Sequence, residues 1–324
     1  MTSPTRTVLV AGATGKQGRA FIEAVLHSQA ESVQDIRIVA LTRNPNSPSS
    51  KELSHASDRV QVVRADLDQP DTVRKAFQDA SQSEGGLWGV FVVLAFPGLG
   101  ADATGEERQG KAHHLIFSSV ERGDEGYDDK LTLDRLAKVQ IERHIRSLTG
   151  LRWTFLRPAF FMENFDGTIG SITNTVLKCG LQKTTKLQLI AADDIGHVAL
   201  GVFQASDEYA SKAVVVIGDA LTTQELNEAH VRGAGKPLGS VPNFLGKALL
   251  AANKHTKGLI SDMERVHNDR EALPESSAVL IAQCRTLYPE LQTFEVWAKN
   301  RGRKKERKAN WNNVTIGELA TGKR

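Results

Sequence analysis

The chain has 324 residues, 40% of them hydrophobic and 24% charged, with two cysteines, Cys179 and Cys284. That length suits one large domain plus a smaller one. No run approaches the roughly 20 apolar residues of a membrane span, and two distant cysteines offer neither a metal spacing nor a disulfide framework. From Lys299 onward nine Lys and Arg face two Asp and Glu, giving that tail +7; of the net +3 the body therefore carries −4, which is no footprint for nucleic acid.

Thr7–Ala11 reads as a short buried strand, and Gln17–Ala30 as a helix with Phe21, Ala24 and Val25 on one face. Strands follow at Ile36–Leu41 and Val60–Val63, then a helix over about Gln69–Gln82. Further strands lie at Val90–Leu94 and Leu115–Ser118. A helix spans Leu131–Leu148, repeating Leu133, Ala137, Ile141 and Ile145 at steps of four, and a strand covers Trp153–Leu156. Strands separated by helices imply a parallel sheet. After Arg157-Pro158 the rhythm changes. A helical stretch follows Asn164, then a strand at Leu187–Ile190, a helix begun by Asp193-Asp194 and a strand at Val214–Ile217. Leu221–Ala298 is mainly helical. The expectation is an α/β, doubly wound Rossmann domain over 1–157 and a smaller, mainly helical α/β cap or substrate domain over 158–298. A basic, disordered tail without apolar periodicity is expected over 299–324. The first six residues lack a basic start and apolar core, so a cytoplasmic protein is expected rather than a secreted one. The run Arg301–Lys308 has the composition of a nuclear-targeting segment or, more plainly, of a solvated tail.

Gly12-Ala13-Thr14-Gly15-Lys16-Gln17-Gly18 joins the first strand to the first helix. Gly12 allows a tight turn, Gly15 lets the backbone approach a pyrophosphate, and Gly18 lets helix and strand pack closely. The helix N-terminus supplies unpaired N–H groups and a positive dipole end. Such a loop marks a dinucleotide site, or a related domain that has lost its ligand. Arg43 and Asn44 end the second strand, where an NAD-preferring protein places an acid for the ribose 2′-hydroxyl. A guanidinium there can grip a 2′-phosphate, so NADP(H) is expected over NAD(H); the alternative is a solvated arginine. Asp66-Leu67-Asp68 follows the third strand, placed to meet the adenine. Asp68 is equally placed to cap the helix ahead of Pro70.

These residues resemble the NmrA-like family of atypical short-chain dehydrogenases/reductases, in its fungal type. The resemblance runs over roughly 5–298 through GATGKQG at 12–18, LTRNP at 41–45, ADLD at 65–68, FSSVERG at 117–123, LRPAFFMENF at 156–165, AADDIGHVAL at 191–200 and LYPELQTFEVW at 287–297. It implies that Gly12 to Gln17 and Arg43 hold NADP(H), and that Ala95-Phe96-Pro97 lies along the cofactor. The family lysine on the long helix matches Lys138. Phe161-Met162-Glu163-Asn164 then lies by the nicotinamide end. The chain departs from the family between its fourth and fifth strands. Ala101–Ala112 is near the roughly dozen-residue minimum for a parallel crossover, predicting a short helix and one thinly covered sheet face. The segment before Lys138 also lacks the family's Pro-His-Phe run.

The usual Tyr–Lys pair of short-chain dehydrogenases is missing. The chain has three tyrosines; Tyr127 is followed four residues on by Leu131, and Tyr209 and Tyr288 have no lysine at that spacing. Ser118, with Ser119 beside it, is the candidate substrate-orienting hydroxyl. Lys138 is the candidate proton donor, since a desolvated lysine has its pKa brought toward neutral; the alternative is a helix-surface lysine pairing with Glu142 at i+4. His113 and His114 point to opposite faces of a strand and read as structural, and no metal site is expected. Two functions remain open. One is an NADP(H)-dependent oxidoreductase acting on a small organic molecule, in the setting of fungal secondary metabolism that the resemblance implies. The other is a non-catalytic NADP(H) sensor regulating a protein partner. The missing Tyr–Lys pair favours the sensor. Ser118, Lys138 and an apolar wall of Phe160, Phe161 and Met162 favour the reductase, the reading carried forward. No membrane partner is expected, and no nucleic-acid partner for the folded body.

Overall fold

Alternation along the first strand decides the layering. In β1 (Arg6–Ala11), Val8 and Val10 enter one apolar cluster while Leu9 and Ala11 enter another on the opposite face. A strand buried on both faces needs helices on both. The computed structural model describes residues 6–83, 85–94, 113–273 and 276–301. Ala95, Phe96, Pro97, the short crossover helix expected over 101–112 and the chain beyond Arg301 lie outside the described residues.

The first half contributes β1, α1 (Lys16–His27), β2 (Ile36–Thr42), α2 (Pro48–Ala56), β3 (Val60–Arg64), α3 (Pro70–Gln82), β4 (Leu87–Val93), β5 (His114–Ser118), α4 (Leu133–Ser147) and β6 (Trp153–Pro158). The second half contributes β7 (Phe160–Phe161), α5 (Gly167–Gly180), β8 (Leu187–Ile190), α6 (Ala192–Gln204), α7 (Ser206–Tyr209), β9 (Lys212–Val216), β10 (Asp219–Leu221), α8 (Thr223–Ala234), α9 (Asn243–Ala252), α10 (Lys254–Ala272), α11 (Ser277–Leu287) and α12 (Phe294–Arg301). The main sheet has seven parallel strands in the order β3-β2-β1-β4-β5-β6-β9. Strand order reverses between β1 and β4, and in such sheets ligands bind beyond the carboxyl ends of the strands at that reversal.

Several elements differ from their expected form. The sequence reading has no helix between β2 and β3, yet α2 forms there. Ser47 accepts a hydrogen bond from the Ser50 N–H and Pro48 opens the first turn, both standard start signals. Asp68 does not cap α3, whose N-cap is Gln69; Asp66 accepts from the Asp68 N–H instead. The rhythm change at Pro158 is not a clean break between layers. β9 pairs in parallel with β6, and α6 packs along α1. Only then does the chain complete a second core, where Met162, Phe165, Leu189, Phe294 and Trp297 meet under a small β7-β8-β10 sheet. Residues 299–301 belong to the last helix rather than to the tail. Asn300 donates to Gln292 at 3.2 Å and Arg301 pairs with Asp166.

The adjacent histidines sit at the amino end of β5, away from the strand ends that form the crevice. His113 stacks on Trp88. The Thr154 hydroxyl donates to the carbonyl of Tyr209 at 2.6 Å, so its proton is spent. His114 Nε2 must then be the donor to Thr154 Oγ1 at 2.8 Å, leaving a bare Nδ1 that is buried without a partner among the described residues. Burial, with the charges of His113 and Arg152 adding to it, pushes the His114 pKa down to about 4.

Two outcomes follow from these contacts. The folded pKa of His114 lies below its unfolded value of about 6.5, so the stabilisation is whole above that pH and is lost as pH falls toward 4. Denaturant midpoints of the wild type should drop across this window by more than those of a His114→Gln variant, the difference reaching about 3 kcal/mol. A chain ending at Arg301 keeps both contacts of the last turn. One ending at Ala298 loses both contacts of the last turn and should melt roughly 2–5 °C lower in calorimetry.

Candidate dinucleotide-binding site

The glycine loop lies at the carboxyl end of β1, over the crevice with β4. Gly12 takes φ +78°, and a Cβ there would meet the Val93 carbonyl oxygen at 2.4 Å. Gly15 donates its N–H to the Gly12 carbonyl at 3.0 Å and then becomes the N-cap of α1. Among the described residues, a Cβ on Gly15 would have one neighbour, the Gly12 oxygen at 3.2 Å, which leaves its outer face open to them. A Cβ on Gly18 would stand 2.3 Å from that same oxygen. Among the described residues, the helix start carries no side-chain cap and no acid in its first turn, so its positive end can face an anion. Ala13 is buried; Thr14, Lys16 and Gln17 are half-buried.

Arg43 is exposed beyond β2 and makes no hydrogen bond or ion pair with the described residues. Asn44 is committed to the turn, its side chain accepting from the Asn46 N–H and its carbonyl from the Ser50 hydroxyl. Leu67 is 41% exposed, an apolar surface offered to solvent beside the exposed Asp68. An exposed guanidinium, an apolar platform, an open glycine face and a bare helix end fit a dinucleotide carrying a 2′-phosphate.

At the end of β5 two neighbouring serines part ways. The Ser118 hydroxyl donates to Gln17 Oε1 at 2.6 Å, tying the strand end to the glycine loop. Ser119 is buried, and its hydroxyl has no partner among the described residues. The carbonyl of Ser119 accepts from Lys138 Nζ at 3.0 Å. Lys138 is held below the usual lysine range by burial; the charges of Asp134 and Glu142 oppose this and Arg135 adds to it. The i+4 pairing with Glu142 is not made, because Arg122 and Arg157 occupy that carboxylate. The free hydroxyl beside Lys138 is thus on Ser119, not on the expected Ser118.

The segment from Phe161 to Asn164 divides as well. Phe161 and Asn164 are half-buried, whereas Met162 lies fully inside the second core and is no part of an exposed apolar wall. Glu163 is buried, and its carboxylate accepts from the Ala192 N–H at 3.1 and 3.2 Å, closing the start of α6. Burial pushes its pKa up against the field of Lys16. Lys16 itself is held low by burial, with Glu163, Arg301, Asp166 and Asp193 in its field. Asp194 accepts from the backbone and side-chain N–H groups of Gln292 at 2.7 and 2.8 Å. Three of the seven resembling motifs are therefore stitched to one another, with α6 in the middle.

Strand order, glycine turn and the helix laid against them define a Rossmann-like fold. The chain belongs to the NmrA-like family, whose model matches residues 4–298. An NmrA-like family domain-containing oxidoreductase of Aspergillus hancockii is 31% identical over 179 residues, a stretch covering 51% of this chain and 49% of that protein. An oxidoreductase of the same description from Penicillium ochrochloron is 25% identical over 92% of this chain and 98% of its own. Among solved structures, NmrA, a negative transcriptional regulator in complex with NADP, superposes with a TM-score of 0.64 at 15% identity, over 95% of this chain and 99% of that one. No helix among the described residues is long and apolar enough to cross a membrane.

Proposed function

We propose that the chain is an NADP(H)-dependent oxidoreductase acting on a small organic molecule, with Lys138 as its proton donor. The observation that carries the reading is the half-buried Lys138, whose Nζ donates to the carbonyl of Ser119 at 3.0 Å and has no carboxylate bonded to it among the described residues. Relatives named as oxidoreductases support it.

In this reading Gly12 to Gly18 and the start of α1 receive the pyrophosphate. Arg43, with Asn44 beside it, grips the 2′-phosphate, and Leu67 and Asp68 flank the adenine. Phe161 and Asn164 line the nicotinamide end. Bound NADPH supplies the hydride equivalent. The chain's own part is to orient and to protonate. Ser118 holds Gln17, and so the glycine loop, in register with β5. The Ser119 hydroxyl offers a hydrogen bond to a substrate oxygen. Lys138 Nζ, whose pKa is lowered by burial, gives that oxygen a proton more readily than a solvated lysine would.

A second reading uses the same cofactor residues without chemistry: an NADP(H) sensor that acts on a protein partner. The tyrosines favour it. Tyr127 is covered by the Arg265 guanidinium at 4.1 Å, and Tyr288 stacks on His197. Similarity in fold to a NADP-bound regulator is consistent with it.

Loss of reduced-nicotinamide absorbance against a panel of quinones, enones and ketones separates the two readings. Turnover of any of them supports the oxidoreductase; a wild type that binds NADPH tightly and turns over none supports the sensor. In the first case Lys138→Met should cut turnover by roughly 10²–10⁴ while NADPH affinity changes little. Equal rates in the variant would remove Lys138 from the chemistry. Cofactor choice is tested separately by calorimetric titration. Arg43→Ala should weaken NADPH about ten- to hundredfold and leave NADH unchanged; equal losses for both would refute the 2′-phosphate assignment.

A further inference from the structure

Behind Ser119 and Lys138 lies a set of buried charges that the reading above leaves unused. Arg122, only 1% exposed, grips Asp128 through Nε and Nη2 at 2.6 and 3.1 Å, and Glu142 through Nη1 and Nη2 at 2.9 Å each. Arg157 brings Nε and Nη2 to the same Glu142 carboxylate at 3.2 and 2.5 Å. Its Nη2 also reaches Glu125, which takes Arg146 from outside. Three guanidiniums meet three carboxylates, and Glu142 at the centre accepts four hydrogen bonds.

The cluster joins the segments that carry the site. Arg122 follows Ser119 by three residues on the loop after β5. Glu142 lies one turn after Lys138 on α4. Arg157 is the next-to-last residue of β6, just ahead of Phe161 and Asn164. An exposed helix would use the i,i+4 spacing of Lys138 and Glu142 for an ion pair; here that carboxylate is engaged elsewhere. Among the described residues, the charges in the field of Lys138 are Asp134, Arg135 and Glu142, all on α4. The loop facing it presents a neutral carbonyl and a hydroxyl.

We propose that Glu142 is a positioning residue of the site: engaged by Arg122 and Arg157, it fixes the turn of α4 that aims Lys138 at the Ser119 loop and is kept from pairing with that ammonium. This rests on Lys138 being a site group, but not on turnover.

The test reads the ionisation of Lys138 directly. Full-length, cofactor-free protein is labelled with acetic anhydride across a pH series, and the midpoint for each lysine is read by peptide mass spectrometry. In the wild type the Lys138 midpoint should lie below the ordinary lysine value. Glu142→Gln keeps the shape but leaves two guanidiniums unbalanced, so the Lys138 midpoint should fall further, by roughly half a unit or more. Glu142→Asp keeps the charge and should bring the midpoint back toward wild type. Glu125→Gln, at the half-exposed rim, should give a smaller fall in the same direction and serves if Glu142→Gln does not fold. Folded variants with lower melting temperatures and an unmoved Lys138 midpoint would make the cluster a structural brace only, and overturn the proposal. Shifted midpoints in a protein that turns over no substrate would uphold the positioning role while sinking the oxidoreductase reading.

Discussion

A Cβ on Gly18 would sit 2.3 Å from the carbonyl oxygen of Gly12, and one on Gly196 would sit 2.3 Å from the backbone nitrogen of Phe21. Neither atom can exist without moving a helix, because the neighbours are backbone and not yielding side-chain ends. α1 is thus pressed onto the glycine loop below and onto α6 above. This double approach brings the bare start of α1 to the crevice between β1 and β4. It also brings the start of α6 within reach of Glu163, and Asp194 within reach of Gln292. Interiors are packed too densely to absorb an extra methyl at such points.

The loop after β5 is held from two sides with the same economy of contacts. From one side Glu142 on α4 and Asp128 engage Arg122. From the other, α10 reaches over: Arg270 clasps Glu121, and Arg265 donates to the carbonyl of Arg122 at 2.8 Å. Gly123 takes φ +73° directly beneath the Asp269 carboxylate, where a Cβ would stand 2.2 Å from its oxygen. Buried ion pairs are poor evidence of stability, since desolvation offsets most of their attraction, yet removing one partner costs about 3–5 kcal/mol. Such a cluster therefore specifies one arrangement more than it strengthens the fold. Ser118 and Ser119 sit at the head of this loop.

The parts of this fold that were legible in the sequence are those set by local signals. Strands buried on both faces are short apolar runs, so β1, β2, β5 and β8 are found within a residue or two, and the glycine loop announces itself by spacing. What escaped depends on partners distant in the chain. The Val214–Ile217 strand is visible locally, but its pairing with β6 is not. Lys138 and Glu142 are spaced as a pair, and nothing local shows that Arg122 and Arg157 claim the acid. Ser118 and Ser119 are equivalent in sequence; only the presence of Gln17 beside one of them commits its hydroxyl. Met162 is apolar enough for a pocket wall or a core, and the second core takes it. Ser47-Pro48 at the start of α2 is a purely local signal.

The parallel pairing of β9 with β6 has a consequence for how the chain folds as it is made. A nascent chain that has emerged only to Pro158 carries β6 as an open edge, and the outer face of α1 without the helix that covers it. Unpaired strand edges and bare apolar surface are the features that make partly made chains stick to one another. The first layer closes only when α6 and β9 arrive, near Val216. The edge of β6 and the face of α1 thus stay uncovered until about the first two-thirds of the chain has been made.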